Sequence, residues 1–295
     1  MGHFFGEPRG ERIATEVAQM FREGAVFVNR KEPFLFVCGG ALTQNNLRGK
    51  FLKYAEQGLQ NWRYFLAEKT YEALIDDSNQ FINLADLEKF MSDIADCILI
   101  FPESPGSFAE IGYFSAYPEL NKKTLVANKF EHQSKNSFLN RGPIHTVVRQ
   151  SVFGGAAYVV NSGESGEVDF EPIRELLTEH IKLRRRKRIE DLTALGPKER
   201  FLFALYLLSL FPPLKPVDLS MLFVKLFGKS DYREIRRILS LLTSAGYIEY
   251  SAEVDRYTGG KIEHMPIDIE GRSHSDIKSF IINQYQKHAP ELLKR

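Results

Sequence analysis

The sequence predicts an α/β protein: a doubly wound, mainly parallel sheet followed by a mostly helical domain. Two patterns carry that expectation. Up to about residue 180, apolar runs of strand length alternate with segments of helical spacing, which is how βαβ units read. Beyond the basic cluster Lys182-Leu183-Arg184-Arg185-Arg186-Lys187-Arg188, three apolar helices precede a hairpin. The expected division is a sheet domain over 1–180, a basic linker helix over 181–195 and a helical domain over 196–295.

In chain order, Arg12 to Glu23 has helical spacing, and the apolar run Phe34 to Val37 stops at Gly39-Gly40, as a strand stops at a turn. Arg48 to Leu59 reads as helix, Tyr64 to Ala67 as extended chain, and Tyr71 to Ile75 and Leu84 to Ile94 as helices. Ile98 to Phe101 is a central strand, Ser107 to Ala116 a helix, and Thr124 to Ala127 a strand. A helix follows Pro143, then a strand at Ala157 to Val160. In the last third, Gly196-Pro197 opens a helix to Phe211, Val217 to Phe227 forms a second and Ser230 to Ala245 a third. Gly246 stops the third helix. Tyr247-Ile248-Glu249-Tyr250, with a turn at Thr258-Gly259-Gly260 leading to Ile262, completes a winged helix-turn-helix pattern.

Composition excludes several classes. A chain of 295 residues with 43% hydrophobic content can bury a large core, and a net charge of +1 gives no global attraction to nucleic acid, so any such contact comes from a local patch. Cys38 and Cys97 sit in apolar runs without zinc spacing or a disulfide framework, as reduced thiols of a cytoplasmic protein do. No basic-then-apolar signal opens the sequence, and the longest apolar run, Phe201 to Phe211, is too short to span a bilayer. The expectation is a cytoplasmic protein without a membrane partner.

The chemistry concentrates in Asp96 to Tyr113, which reads as buried strand, tight turn and helix. Ligands of open α/β sheets bind beyond the carboxyl ends of the strands, and Pro105-Gly106 reverses the chain there. Glu110 is the candidate catalytic carboxylate, placed by this reading in the helix's first turn. The same spacing, Ser107-x-x-Glu110, also fits a capping box. Ser104, Gly106 and Ser107 are candidates for ribose hydroxyls or phosphate, with Ser107 equally readable as an N-cap. Gly39 and Gly40 could let backbone N–H groups approach a ligand, or form only a turn. Glu68 is a weaker candidate for orienting a ribose hydroxyl. His132 and His145 lack partners at catalytic spacing, and no His/Cys set has metal-ligand spacing.

Three pieces of the sequence carry a resemblance. Gly106-Ser107-Phe108-Ala109-Glu110-Ile111-Gly112 resembles the Gly-Ser/Thr-x-x-Glu-x-Gly motif of nucleoside 2-deoxyribosyltransferases, whose glutamate attacks an anomeric carbon. With Phe36-Val37-Cys38-Gly39-Gly40 and Lys135-Asn136-Ser137-Phe138-Leu139-Asn140-Arg141-Gly142-Pro143, it is similar to the deoxyribosyltransferase-like effectors of bacterial retron defence systems. The resemblance implies cleavage of an N-glycosidic bond of NAD+ or purine nucleotides, bound as substrate with no cofactor. It implies Glu110 as nucleophile or cation stabiliser, and Lys135, Ser137 and Asn140 at the pocket or reaching a neighbouring subunit. Its implied partners are a retron reverse transcriptase and msDNA, the branched DNA-RNA product, in a homo-oligomer or filament. One departure is visible: Ser104-Pro105 stands where deoxyribosyltransferases carry an acidic residue, which favours hydrolysis over base exchange.

Two basic groups are candidate contacts to nucleic acid or partner: Arg184, Arg185, Arg186, Lys187 and Arg188, and, on the third helix, Arg233, Arg236 and Arg237. Each also reads as a solvated face. The competing function is a nucleotide-sensing DNA-binding regulator, which binds its ligand without cleaving it. A cytokinin-type phosphoribohydrolase is disfavoured because the Pro-Gly-Gly-x-Gly-Thr run is absent.

Overall fold

A computed structural model describes residues 4–75, 83–133, 135–155, 157–159, 161–162, 167–182, 186–260, 262 and 264–293. They form two compact units. The sheet unit joins Glu32–Ala67 with Glu88–Leu183, and the helical unit joins Met1–Lys31, Glu68–Leu87 and Arg184–Arg295. The division is therefore discontinuous, whereas the sequence reading draws one boundary near 180.

The chain opens with α1 (Pro8–Glu23), begun by a proline that lacks the N–H a helix cannot use there, and β1 (Val26–Val28). β2 (Phe34–Cys38) is buried at every residue, as a strand covered on both faces must be. α2 (Leu47–Gly58) starts where Asn46 accepts the Gly49 N–H. β3 (Arg63–Phe65), α3 (Ala67–Ile75), α4 (Leu84–Ile94) and the wholly buried β4 (Cys97–Ile100) follow. Next come α5 (Pro105–Ala116), α6 (Pro118–Asn121) and β5 (Thr124–Lys129). A π turn at Asn140–Ile144 enters α7 (His145–Gln150). β6 (Ala157–Val159), the ribbon β7 (Asn161–Ser162) and β8 (Glu167–Val168), and α8 (Glu171–His180) complete the sheet unit. The remainder is β9 (Lys187–Ile189), α9 (Pro197–Leu210), α10 (Pro216–Phe227), α11 (Tyr232–Ser244), β10 (Ile248–Ser251), β11 (Arg256–Gly259), β12 (Ile267–Ile269) and α12 (His274–His288).

In the sheet unit five parallel strands run in the order β3-β2-β4-β5-β6. Alternation along each strand splits the core in two. Leu35, Val37, Leu99 and Leu125 pack against Phe51 of α2 and against Ile173 and Leu177 of α8. On the opposite face the Phe36 ring meets Phe114 of α5 edge-on, with centroids 6.2 Å apart. Lys123 closes the carboxyl end of α4: its buried ammonium donates to the Ser92 carbonyl and, at 3.2 Å, to that of Ala95, and burial lowers its pKa. Lys123→Met should leave both carbonyls unsatisfied and cost roughly 1–3 kcal/mol in urea unfolding at unchanged m.

The helical unit contains a three-stranded antiparallel sheet ordered β12-β1-β9. Its last strand corrects the expected basic linker helix. In the described part of that segment, Val28, Phe27 and Val26 draw Lys187, Arg188 and Ile189 into register as a strand, and only a 3-10 turn at Leu192–Ala194 is helical. α9 is buried at every residue from Phe201 to Leu210, so it is a core helix apolar on all sides. α10 ends at Gly228 (φ 76°) and the turn after α11 at Gly246 (φ 74°). The hairpin forms, but its turn occupies residues 252–255, with Asp255 at φ 50°, and not Thr258-Gly259-Gly260. Gly259 instead lies within β11, where a Cβ would come within 2.6 Å of the Leu208 carbonyl oxygen. Among the described residues no helix is long and apolar enough to cross a membrane.

Candidate active site at the carboxyl edge of the parallel sheet

The turns after β2 and β4 are locked together. Gly39 and Gly40 follow β2, and the Gly40 carbonyl accepts a buried hydrogen bond of 3.1 Å from Arg48 Nη1. After β4, the Glu103 carboxylate accepts the N–H groups of Leu47 at 2.7 Å and Arg48 at 3.0 Å. A carboxylate on the positive end of α2 satisfies two orphan donors and complements the helix dipole. A Cβ on Gly39 would press on Arg48 at 3.0 Å, so its lack of a side chain lets that guanidinium stem cross the turn.

Pro105 starts α5 two residues before the expected Ser107. Ser104 becomes the N-cap and forms a reciprocal capping box with Ser107. The expected Ser107–Glu110 box does not form, and no acidic residue occupies the first turn. Glu110 therefore lies in the second turn, half-buried with its Oε2 buried, where the helix dipole contributes little. Ser107 is fully buried; its hydroxyl accepts the N–H groups of Glu103 and Ser104, each at 2.9 Å, and donates to the Ser104 carbonyl at 2.9 Å. Ser107→Ala should strand two donors and cost roughly 1–3 kcal/mol, read as a lower denaturant midpoint. Gly106, between these serines, has open space around its Cα except for the Ser104 hydroxyl.

A cavity of about 330 Å³ opens beside this turn, lined by Leu47, Glu103, Phe108, Asn128, Lys129, His132, Lys135, Ser137 and Asn140 among others. The loop after β5 is tied by Asn140, whose amide donates to the carbonyls of His132 and Lys135, both at 2.8 Å; its backbone N–H donates to Ser137 Oγ at 3.2 Å. Lys135, Ser137 and Asn140 thus lie together on the lining of this cavity. Glu110 is outside this lining. It follows Phe108 by two residues, about 200° around a helix, so the two side chains leave opposite flanks of α5. Sequence reasoning missed Glu103, Phe108 and Lys129 and set His132 aside.

The other candidates are dispersed. Glu68, in the first turn of α3, belongs to the helical unit. Arg184 and Arg185 lie outside the described residues. Arg186 stacks over Phe27, 3.6 Å from the ring centroid; Lys187 bonds to Glu199 at 3.3 Å, and Arg188 lies 3.7 Å from Glu190. On α11, Ile235, Ile238, Leu239 and Leu242 are buried as expected, Arg233 is 82% exposed, and Arg236 and Arg237 are half-buried. Among the described residues no group of three or more His, Cys, Asp or Glu is placed to hold a metal ion.

Comparison with known proteins gives the site a context. The profile of the STM3845 retron effector protein family matches residues 44–250, which span α2 to β10 and include Glu110. An Escherichia coli protein named "Retron Ec73 putative ribosyltransferase/DNA-binding protein" is 29% identical over 221 residues, covering 68% of this chain and 69% of its own length. Its Escherichia coli counterpart named for retron Ec86 is 32% identical over 110 residues, covering 37% of this chain and 36% of its own length.

Proposed function

Because the chain belongs to the STM3845 retron effector protein family, we propose that it is a toxic effector enzyme of an anti-phage retron, cleaving the N-glycosidic bond of NAD+ or of a purine nucleotide. The observation that carries this reading is the placement of Glu110: half-buried, outside the cap, in the helix that follows β4 at the carboxyl edge of a parallel sheet. The ribosyltransferase name of two relatives supports it.

The chemistry asks little more than one ionised carboxylate. The bond from C1′ to the base nitrogen breaks with its electron pair going to the base, which neutralises the nicotinamide ring; a purine, neutral before cleavage, takes up a proton as it leaves. The sugar is left with oxocarbenium character, and the Glu110 carboxylate stabilises or traps it. Water then adds its oxygen to C1′ and releases a proton. Ser104-Pro105, at the position where deoxyribosyltransferases carry an acidic residue, favours water over an incoming base.

In the same reading α9, α10, α11 and the β10–β11 hairpin act as a winged helix-turn-helix domain. Arg233, Arg236, Arg237 and the basic segment around Arg186 and Arg188 meet the retron reverse transcriptase and its msDNA, which restrain the enzyme in an oligomer until a phage disturbs the complex. The test is chromatographic. The protein, alone and with its reverse transcriptase and msDNA, is incubated with NAD+ and with purine nucleotides. Free nicotinamide or free base supports the reading; no product under any of these conditions overturns it.

A further inference from the structure

We propose that Glu103 is a positioning residue for the cleavage: it carries a brace between the turns after β2 and β4 that fixes the start of α5, and with it Glu110. The inference rests on the reading of Glu110 as the reacting carboxylate and adds what holds that carboxylate in place.

The topology puts the brace at the point where position matters most. β2 and β4 are hydrogen-bonded neighbours, yet the chain leaves β2 through α2 toward β3 on one side and leaves β4 through α5 toward β5 on the other. Connections that diverge in this way open the crevice of an open α/β sheet, and the strand ladder alone does not set its width. One chain of hydrogen bonds bridges it. Arg48 Nη1 donates to the Gly40 carbonyl at 3.1 Å, and the Leu47 and Arg48 N–H groups donate to the Glu103 carboxylate at 2.7 and 3.0 Å. The Glu103 N–H then donates to Ser107 Oγ at 2.9 Å, within the first turn of α5.

Glu103 is the joint of this chain, because its side chain holds α2 and its backbone holds α5. Ser107 and Glu110 are three residues apart, neighbours on one side of that helix, so a shift at Ser107 carries Glu110 with it. Arg48 is 4% exposed and Ser107 fully buried, which keeps water from replacing a broken link. With both carboxylate oxygens committed to backbone N–H groups, Glu103 acts on the reaction through α2 and α5.

The test compares the full-length parent, Glu103→Gln, Glu110→Gln and the double variant, each with reverse transcriptase and msDNA. Glutamine keeps the shape of Glu103 but turns one acceptor into a donor that faces a backbone N–H. For Glu103→Gln, kcat for nicotinamide or base release should fall by about tenfold or more with KM within about threefold, since a misplacement of about 1 Å is costly. In the Glu110→Gln background the same change should cost less than about twofold, because no carboxylate is left to misplace. An unchanged kcat, or an equal loss in both backgrounds, overturns the proposal. Amide hydrogen exchange on the same proteins needs no turnover. Peptides over 41–51 and 105–113 should both exchange about tenfold faster in Glu103→Gln, with β5 unchanged. Faster exchange in α2 alone, or in neither peptide, also overturns it. Wild-type protein that releases nothing counts against cleavage, and exchange then decides the brace. Should Glu103→Gln melt early, Ser107→Ala, which cuts the brace at its α5 end, is judged by the same ratios.

Discussion

Glu110→Gln should reduce the release of nicotinamide or base by about 10³-fold or more, equivalent to roughly 4 kcal/mol of transition-state stabilisation. In cells the variant should keep NAD+ and growth intact where the parent depletes and kills. Glutamine has the same shape but no charge, so the half-buried position should tolerate it and the unfolding curve should barely move. That separation matters, because a loss of activity with a lowered melting temperature would report damage to α5 instead of chemistry. A ligand-sensing regulator makes the opposite prediction: Glu110→Gln would be silent, and the phenotype would follow Arg233, Arg236 and Arg237.

Phe51→Ala should be the most destabilising single change in the sheet unit, at about 3–5 kcal/mol. The ring is fully buried in α2 and touches Phe101 at 5.5 Å, Phe170 at 5.6 Å and Tyr54 at 6.3 Å between centroids. It joins α2 to the end of β4 and the start of α8, so the void it leaves cannot close without moving one of them. Equilibrium urea unfolding should show the shift, with Phe51→Leu recovering much of it. A loss under 1 kcal/mol would mean that these layers are not packed as described. Phe101 also leads directly into Pro102 and Glu103, so slack here should loosen the turn that Glu103 pins to α2.

The fold was legible where burial alone decides structure. β2 and β4 are unbroken apolar runs because both faces of a central parallel strand are covered, and α4 runs from Leu84 to Ile94 as its spacing indicates. Elements that exist through pairing were not legible. β1 is three residues long, and Lys187-Arg188-Ile189 becomes a strand only because β1 offers it an edge. α8 buries a narrow stripe, Ile173 and Leu177, too sparse to mark a helix, and α12 has a similarly thin one in Ile277, Ile281 and Tyr285.

The site divides in the same way. Glu110 stands out because its motif is local, yet the cap that organises the turn is Ser104 with Ser107, since a proline at the first helical position moves the start of α5 forward. The cavity draws on Leu47, Glu103, Phe108 and the loop after β5 as far as Asn140, residues separated by more than ninety positions, and no spacing rule joins them. His132 looks idle in sequence because its neighbours arrive through Asn140. Glu103 looks like a surface acid until α2 delivers its N-terminus.

The most direct test of cleavage at Glu110 is mass spectrometry of the products in ¹⁸O-labelled water. Wild-type protein with its reverse transcriptase and msDNA should release nicotinamide or base, together with a sugar phosphate carrying one ¹⁸O at C1′, and Glu110→Gln should give neither. Equal release by the two proteins would contradict the account.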